Sequence, residues 1–129
     1  MRSEADVRGH LVKALRANNV QAQPIESGTT GLGIPDMFVR TTCKDLWVEL
    51  KFERYEPRLP YTVPFRPGQY GWLRRHYELG GLSVLGVWMP SGMYLWANNN
   101  IQEVYDVLTC NLWMHSISGA EFISWVDNL

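Results

Sequence analysis

Asp36, Glu49 and Lys51 stand in the order Pro-Asp and then, thirteen residues after the aspartate, Glu-Leu-Lys. Two carboxylates facing one pocket repel each other, and a hard divalent cation is the usual resolution. Mg²⁺ in particular is held by one or two carboxylates together with phosphate oxygens. A lysine beside such an ion adds a compact positive charge. The set suits phosphodiester cleavage: a metal acidifies an attacking water and steadies the leaving oxygen, while an ammonium stabilises charge on the phosphorane. Alone, a Glu-x-Lys on a strand is most often an exposed ion pair, so the elements that carry these residues decide the matter.

Two alternating runs, Asp36 to Thr41 and Leu46 to Phe52, flank the polar segment Thr42-Cys43-Lys44-Asp45 and read as a hairpin. With the turn centred between Cys43 and Lys44, Asp36 falls opposite Lys51 and Phe38 opposite Glu49. Asp36, Glu49 and Lys51 then share one face, and Val39, Val48 and Leu50 form the core face. Upstream, Ser3 and Asp6 have capping-box spacing, and Val7, Leu11 and Leu15 recur at helical intervals, predicting a helix over about 3–18. Glu4 lies on that inward stripe, where a carboxylate needs a partner. A short strand at Val20 to Ile25 and a glycine-rich loop, Ser27 to Gly33, lead to Gly33-Ile34-Pro35-Asp36. Downstream, residues 53–66 hold three prolines among Arg54, Arg58 and Arg66 and read as an irregular functional loop. Pro67 suits the first position of a helix over Gly68 to Leu79, which Gln69 opens.

In this order the residues resemble the PD-(D/E)xK nuclease superfamily, and within it the VRR-NUC (virus-type replication-repair nuclease) family. Its pattern of an N-terminal helical Glu, Gly-(Val/Ile)-Pro-Asp, Glu-x-Lys and a downstream helical Gln is met by Glu4, Gly33-Ile34-Pro35-Asp36, Glu49-Leu50-Lys51 and Gln69. The matched span runs from residue 4 to about 89. The resemblance implies an α/β fold, a restriction-endonuclease-like core with a central mixed β-sheet flanked by helices. It also implies dependence on Mg²⁺ or Mn²⁺ and hydrolysis of DNA phosphodiesters. It implies, too, that the chain is like the small stand-alone members, often phage-encoded, which act as homodimers on branched DNA such as Holliday junctions. Carried over by residue, Asp36 and Glu49 would ligate metal with the Leu50 carbonyl as a further ligand. Glu4 would complete the shell, Lys51 would position or activate water, and Gln69 would orient Lys51 or a phosphate. Glu26 is a lesser candidate for the metal shell, a solvated loop carboxylate being the commoner role.

The charge pattern agrees with an anionic partner on one part of the chain. The formal charge is −1, which excludes the whole-molecule basic field of a nucleic-acid packager. Every Lys and Arg, however, lies between Arg2 and Arg75, leaving residues 76–129 with acidic groups only. Arg54, Arg58, Arg66, Arg74 and Arg75 are the expected phosphate contacts, with Tyr55, Tyr61 and Phe65 interleaved as candidates for stacking on unpaired bases.

At 129 residues and 46% hydrophobic, the chain suits one nuclease domain, with a core of about 1–97 and a helical extension of about 98–129. Leu82 to Met89 and Met93 to Trp96 read as a second hairpin. Capping boxes at Asn100/Glu103 and Ser118/Glu121 predict helices near 101–109 and 119–128. Phe122, Trp125, Val126 and Leu129 form an apolar stripe that suits the chain's own core or, more sharply, a dimer contact. Two cysteines make no disulfide framework, and Cys110 with His115 is half a zinc site at best. With no apolar N-terminal core or spanning-length run, a cytoplasmic protein of a bacterial or phage-infected cell, without membrane or organic cofactor, is expected. A non-catalytic DNA-binding or protein-interaction module on the same scaffold is the alternative, distinguished by retention of DNA without cleavage.

Overall fold

A computed structural model of the chain describes residues 1–25 and 33–129; Glu26 and most of the glycine-rich loop lie outside the described residues. Ser3 is extended, and its side chain accepts from the Asp6 N–H at 3.2 Å, starting α1 (Glu4–Arg16). Val7, Leu11 and Leu15 recur every four residues along α1 and are fully buried. Each contributes about 1.5–3 kcal/mol by leaving water.

The central sheet has six strands: β1 (Gln21–Pro24), β2 (Met37–Arg40), β3 (Asp45–Phe52), β5 (Leu82–Met89), β6 (Gly92–Ala97) and β8 (Leu112–Met114), in the order β1-β2-β3-β5-β6-β8. β3 and β5 are parallel and the other pairs antiparallel, so the sheet is mixed. The parallel pair requires a crossover. It is supplied by residues 53–81, which hold the short strand β4 (Tyr61–Thr62) and α2 (Gln69–Glu78). Alternation along β5 sends Val84 to a core shared with α1 and α3 (Gly119–Asp127), and Leu85 and Val87 to a second core under α2. The fold is thus a mixed sheet flanked by helices on both faces, as expected.

Four local expectations need correction. The β2–β3 turn closes through Thr41, whose N–H donates to the Lys44 carbonyl and whose hydroxyl accepts from the Cys43 and Lys44 N–H groups. Met37 therefore pairs with Val48 and Phe38 with Trp47, a register two residues away from the one expected. A slip of two preserves the faces, because side chains alternate with period two. Pro67 is not the first residue of α2: Gly68, at φ 87°, is its N-cap. Residues 53–66 are not all exposed loop, since Tyr61 and Val63 are buried in the second core and β4 pairs with β7 (Val104–Tyr105). That pairing replaces the helix expected at 101–109. The Val63 N–H donates to the Glu103 carbonyl, and the Tyr105 hydroxyl bridges the Gln102 N–H and the Asn100 carbonyl. The extension is therefore only partly helical, and its β8 is an edge strand of the main sheet.

At the C-terminus, α3 forms as expected, with the Ser118 side chain accepting from the Glu121 N–H. Phe122 and Val126 are fully buried and Trp125 and Leu129 pack beside them, so the apolar stripe is spent on the chain's own core. Among the described residues no helix is long and apolar enough to cross a membrane.

Candidate active site

The site forms at the end of β3 because β2 stops short of it. The β2–β3 ladder ends at Met37 opposite Val48. Asp36, one residue earlier, turns Oδ2 to accept from the Leu50 N–H at 2.8 Å. In a strand the N–H and C=O of one residue leave on the same edge, so the Leu50 carbonyl also leaves toward Asp36.

Glu49 and Lys51, two apart on β3, project into the layer under α2, where they are 1% and 2% exposed. Gln69, in the first turn of α2, joins them. Lys51 Nζ donates to Gln69 Oε1 at 2.8 Å, and Gln69 Nε2 donates to Glu49 Oε2 at 3.1 Å. An ammonium only donates and a carboxylate only accepts, which fixes how the amide is turned. The Arg66 N–H donates to the same Oε1 at 2.7 Å, anchoring Gln69 to the approach to its own helix. Lys51 Nζ also lies 3.4 Å from Glu49 Oε2 and 6.0 Å from the centre of the Phe65 ring.

Glu4 opens α1 in the opposite layer, yet its carboxylate comes within 3.8 Å of Lys51 Nζ and 3.7 Å of an Arg66 Nη. The partner that its inward position demanded is therefore a pair of cations. Among the described residues no group of three or more His, Cys, Asp and Glu gathers at metal-binding range. The acidic pair is Asp36 and Glu49, with Glu4 set against Lys51 and Arg66.

Burial, and then the neighbouring Asp36 charge, push the Glu49 carboxyl up to about 8, with Lys51 opposing. Its Oε1 is buried without a hydrogen-bond partner. A buried, unpaired oxygen beside a second carboxylate lacks a positive group on that side. Asp36, Glu49 Oε1 and the Leu50 carbonyl are an all-oxygen donor set of the type that Mg²⁺ and Mn²⁺ take. The residues thus fit a hard divalent ion.

The five candidate DNA-binding arginines are all exposed. Arg54 follows β3 by two residues, Arg58 lies farther along the same crossover, and Arg66 holds Glu4. Arg74 and Arg75 lie on α2, about 8–9 Å along the axis from Gln69. Arg74 donates to the Tyr70 hydroxyl at 3.1 Å. Among the interleaved aromatics, Tyr55 is 76% exposed whereas Tyr61 is buried, its hydroxyl donating to Glu53 at 2.8 Å. Phe65, expected as a stacking residue for DNA bases, instead has its ring 6.0 Å from Lys51 Nζ, and sequence reasoning missed that Gly68 is the N-cap that sets Gln69. The positive φ needed after Pro67 was the only available signal for Gly68.

No protein-family model and no curated protein matches the chain. Among solved structures, a Holliday junction resolvase, Hjc, from the archaeal hyperthermophile Archaeoglobus fulgidus matches with a TM-score of 0.59 and 15% identity. The match covers 92% of this chain and 98% of that one. Identity so low speaks to architecture rather than chemistry. Over nearly its whole length, the chain therefore has the restriction-endonuclease-like fold seen in that resolvase, with Asp36, Glu49, Lys51 and Gln69 gathered at the end of its central parallel strand pair.

Proposed function

We propose that this protein is a divalent-metal-dependent endodeoxyribonuclease of the PD-(D/E)xK superfamily and VRR-NUC type, cutting branched DNA such as Holliday junctions. The observation that carries this reading is the buried, unpartnered Glu49 Oε1 beside Asp36, with a buried lysine fixed next to it by Gln69. The shared fold with a resolvase supports a nuclease of branched DNA over other hydrolases. A homodimer would set two such sites on one junction. Because the α3 stripe is buried, pairing would use another surface.

In this reading Asp36, Glu49 and the Leu50 carbonyl hold Mg²⁺ or Mn²⁺. Bound there, the ion supplies Lewis-acid stabilisation of phosphate charge and a water of lowered pKa. Lys51 presents its ammonium to the scissile phosphate, in a setting where scarce water strengthens the interaction. Gln69 holds Lys51 at a fixed orientation, and Glu4 with Arg66 closes the site from the α1 side. The exposed arginines position the duplex through its phosphates without reading bases.

The test is incubation of supercoiled plasmid and a four-way junction with Mg²⁺, Mn²⁺ or EDTA, using the parent protein, Asp36→Ala and Lys51→Ala. Cutting is expected with either metal, none in EDTA, and a loss of at least about 10²-fold in each variant. Cutting that persists in EDTA or in both variants contradicts the reading. Retention of DNA without cutting in any metal would assign the chain to a binding module instead.

A further inference from the structure

Phe52 follows Lys51 on β3, so its side chain points to the opposite face of the sheet. There it packs beside Trp88 of β5, its partner in the parallel ladder, and both rings remain partly exposed at the edge of the first core. The Glu53 N–H donates to the Trp88 carbonyl at 2.8 Å, continuing the ladder past the strand and fixing this wall. Arg2 stands across from it, its N–H donating to Asp6 Oδ2 at 2.9 Å, which ties the segment before α1 to the helix. Together with Arg54 and Pro90, these residues line a cavity of about 520 Å³. That size lies within the range of small-ligand sites.

The lining combines two aromatic residues with two arginines. The one acidic side chain, Glu53, has an oxygen engaged by the Tyr61 hydroxyl. Aromatic faces accept a base without regard to its identity, and guanidinium groups accept phosphate oxygens. The cavity also lies one residue along β3 from Lys51, across the thickness of the sheet from the catalytic candidates.

We propose that this cavity receives the base of an unpaired nucleotide next to the scissile phosphate, stacked on Trp88 and Phe52, with its phosphate held by Arg2 and Arg54. The proposal rests on the nuclease reading for its substrate and deepens it: selection of branched DNA comes from capture of one unpaired base. A continuous duplex has no base free to enter, whereas a junction supplies one when a pair at its branch point opens.

The experiment uses two duplexes that carry 2-aminopurine, one in an unpaired single-nucleotide flap and one in a paired position. Each is titrated in EDTA with the parent protein, Trp88→Leu and Arg2→Ala. Leucine keeps apolar packing at 88, and Arg2 is exposed outside any helix, so neither change threatens the fold. In the parent, the unpaired fluorophore is expected to be quenched and the flap duplex bound about tenfold tighter than the paired one. Trp88→Leu should abolish the selective quenching, and Arg2→Ala should reduce the affinity ratio severalfold. Equal affinity of the parent for both duplexes, or undiminished quenching in Trp88→Leu, overturns the proposal. So does displacement of the flap duplex by micromolar free dAMP, which would make this a mononucleotide site. Cleavage of the same duplexes in Mg²⁺ or Mn²⁺ separates the two claims. Cutting without selective quenching removes only the pocket, whereas quenching without cutting removes the nuclease reading.

Discussion

Gly33 packs backbone against backbone on Gly68, so closely that a Cβ at position 33 would run into the Gly68 carbonyl oxygen and stand 2.9 Å from the Gln69 nitrogen. Gly33 also holds φ 88°, a conformation that glycine adopts freely and other residues rarely do. The Gly-Ile-Pro-Asp segment therefore does two jobs: it delivers Asp36 to Leu50, and it sets the start of α2, hence Gln69. Gly33→Ala should destabilise the fold by about 1–3 kcal/mol and, by displacing Gln69, lower cleavage by about 10²-fold. Gly71→Ala, on the same helix with nothing near its Cβ, should raise stability slightly and leave cleavage intact. Thermal melts and junction cleavage on both variants check this.

Gln69 connects Lys51, Glu49 and the Arg66 backbone through one amide. Gln69→Leu would leave a buried ammonium and a buried carboxyl group short of partners, a loss of about 2–4 kcal/mol. Urea denaturation reads this directly. An ordinary exposed helical glutamine would move stability by less than about 0.5 kcal/mol.

The raised Glu49 carboxyl gives the metal-free protein a distinct pH response. Its value is about 8 in the fold against 4.5 unfolded, so between those limits the native state holds a proton that the unfolded state has released. Stability from this group is fully present below pH 4.5 and is lost as pH rises toward 8, at a slope of at most about 1.4 kcal/mol per pH unit. Calorimetry in EDTA should show the parent losing stability from pH 6 to pH 8 more steeply than Glu49→Gln. Equal slopes would contradict the assigned burial. At pH 8, Mg²⁺ or Mn²⁺ should restore stability to the parent but not to Glu49→Gln.

Among the described residues Arg54 and Arg58 make no ion pair, whereas Arg66 holds Glu4. Arg54→Ala and Arg58→Ala should each reduce the slope of log affinity against log salt by about 0.9 on duplex DNA. Arg66→Ala should reduce it less, because part of its charge is already used within the chain. Filter-binding across 50–200 mM salt, a range over which several phosphate contacts are readily resolved, measures all three.

The face that carries the candidate site was legible in the sequence even where the detailed pairing was not. Period-two alternation put Asp36, Glu49 and Lys51 on one face, and the two-residue difference in register left that face unchanged. It moved Asp36 from opposite Lys51 to beside Leu50, because Thr41 folds the turn through its hydroxyl, a device with no periodic signature. The inward position of Glu4 was readable from the α1 stripe, but its approach to Lys51 and Arg66 depends on packing between layers. At Asn100 and Glu103 the capping-box spacing is present in the sequence, but no helix follows it. Pairing of β7 with β4, Tyr105 with Tyr61 and Val104 with Thr62, buries Tyr61 and Tyr105, which a local helix would not.

In the proposed mechanism Asp36 and Glu49 share one divalent ion beside Lys51. Anomalous diffraction from crystals soaked in Mn²⁺ tests it most directly. A single strong peak is expected in contact with the Asp36 carboxylate and Glu49 Oε1, absent from Asp36→Ala crystals. No peak there, or a peak only at other carboxylates, would contradict it.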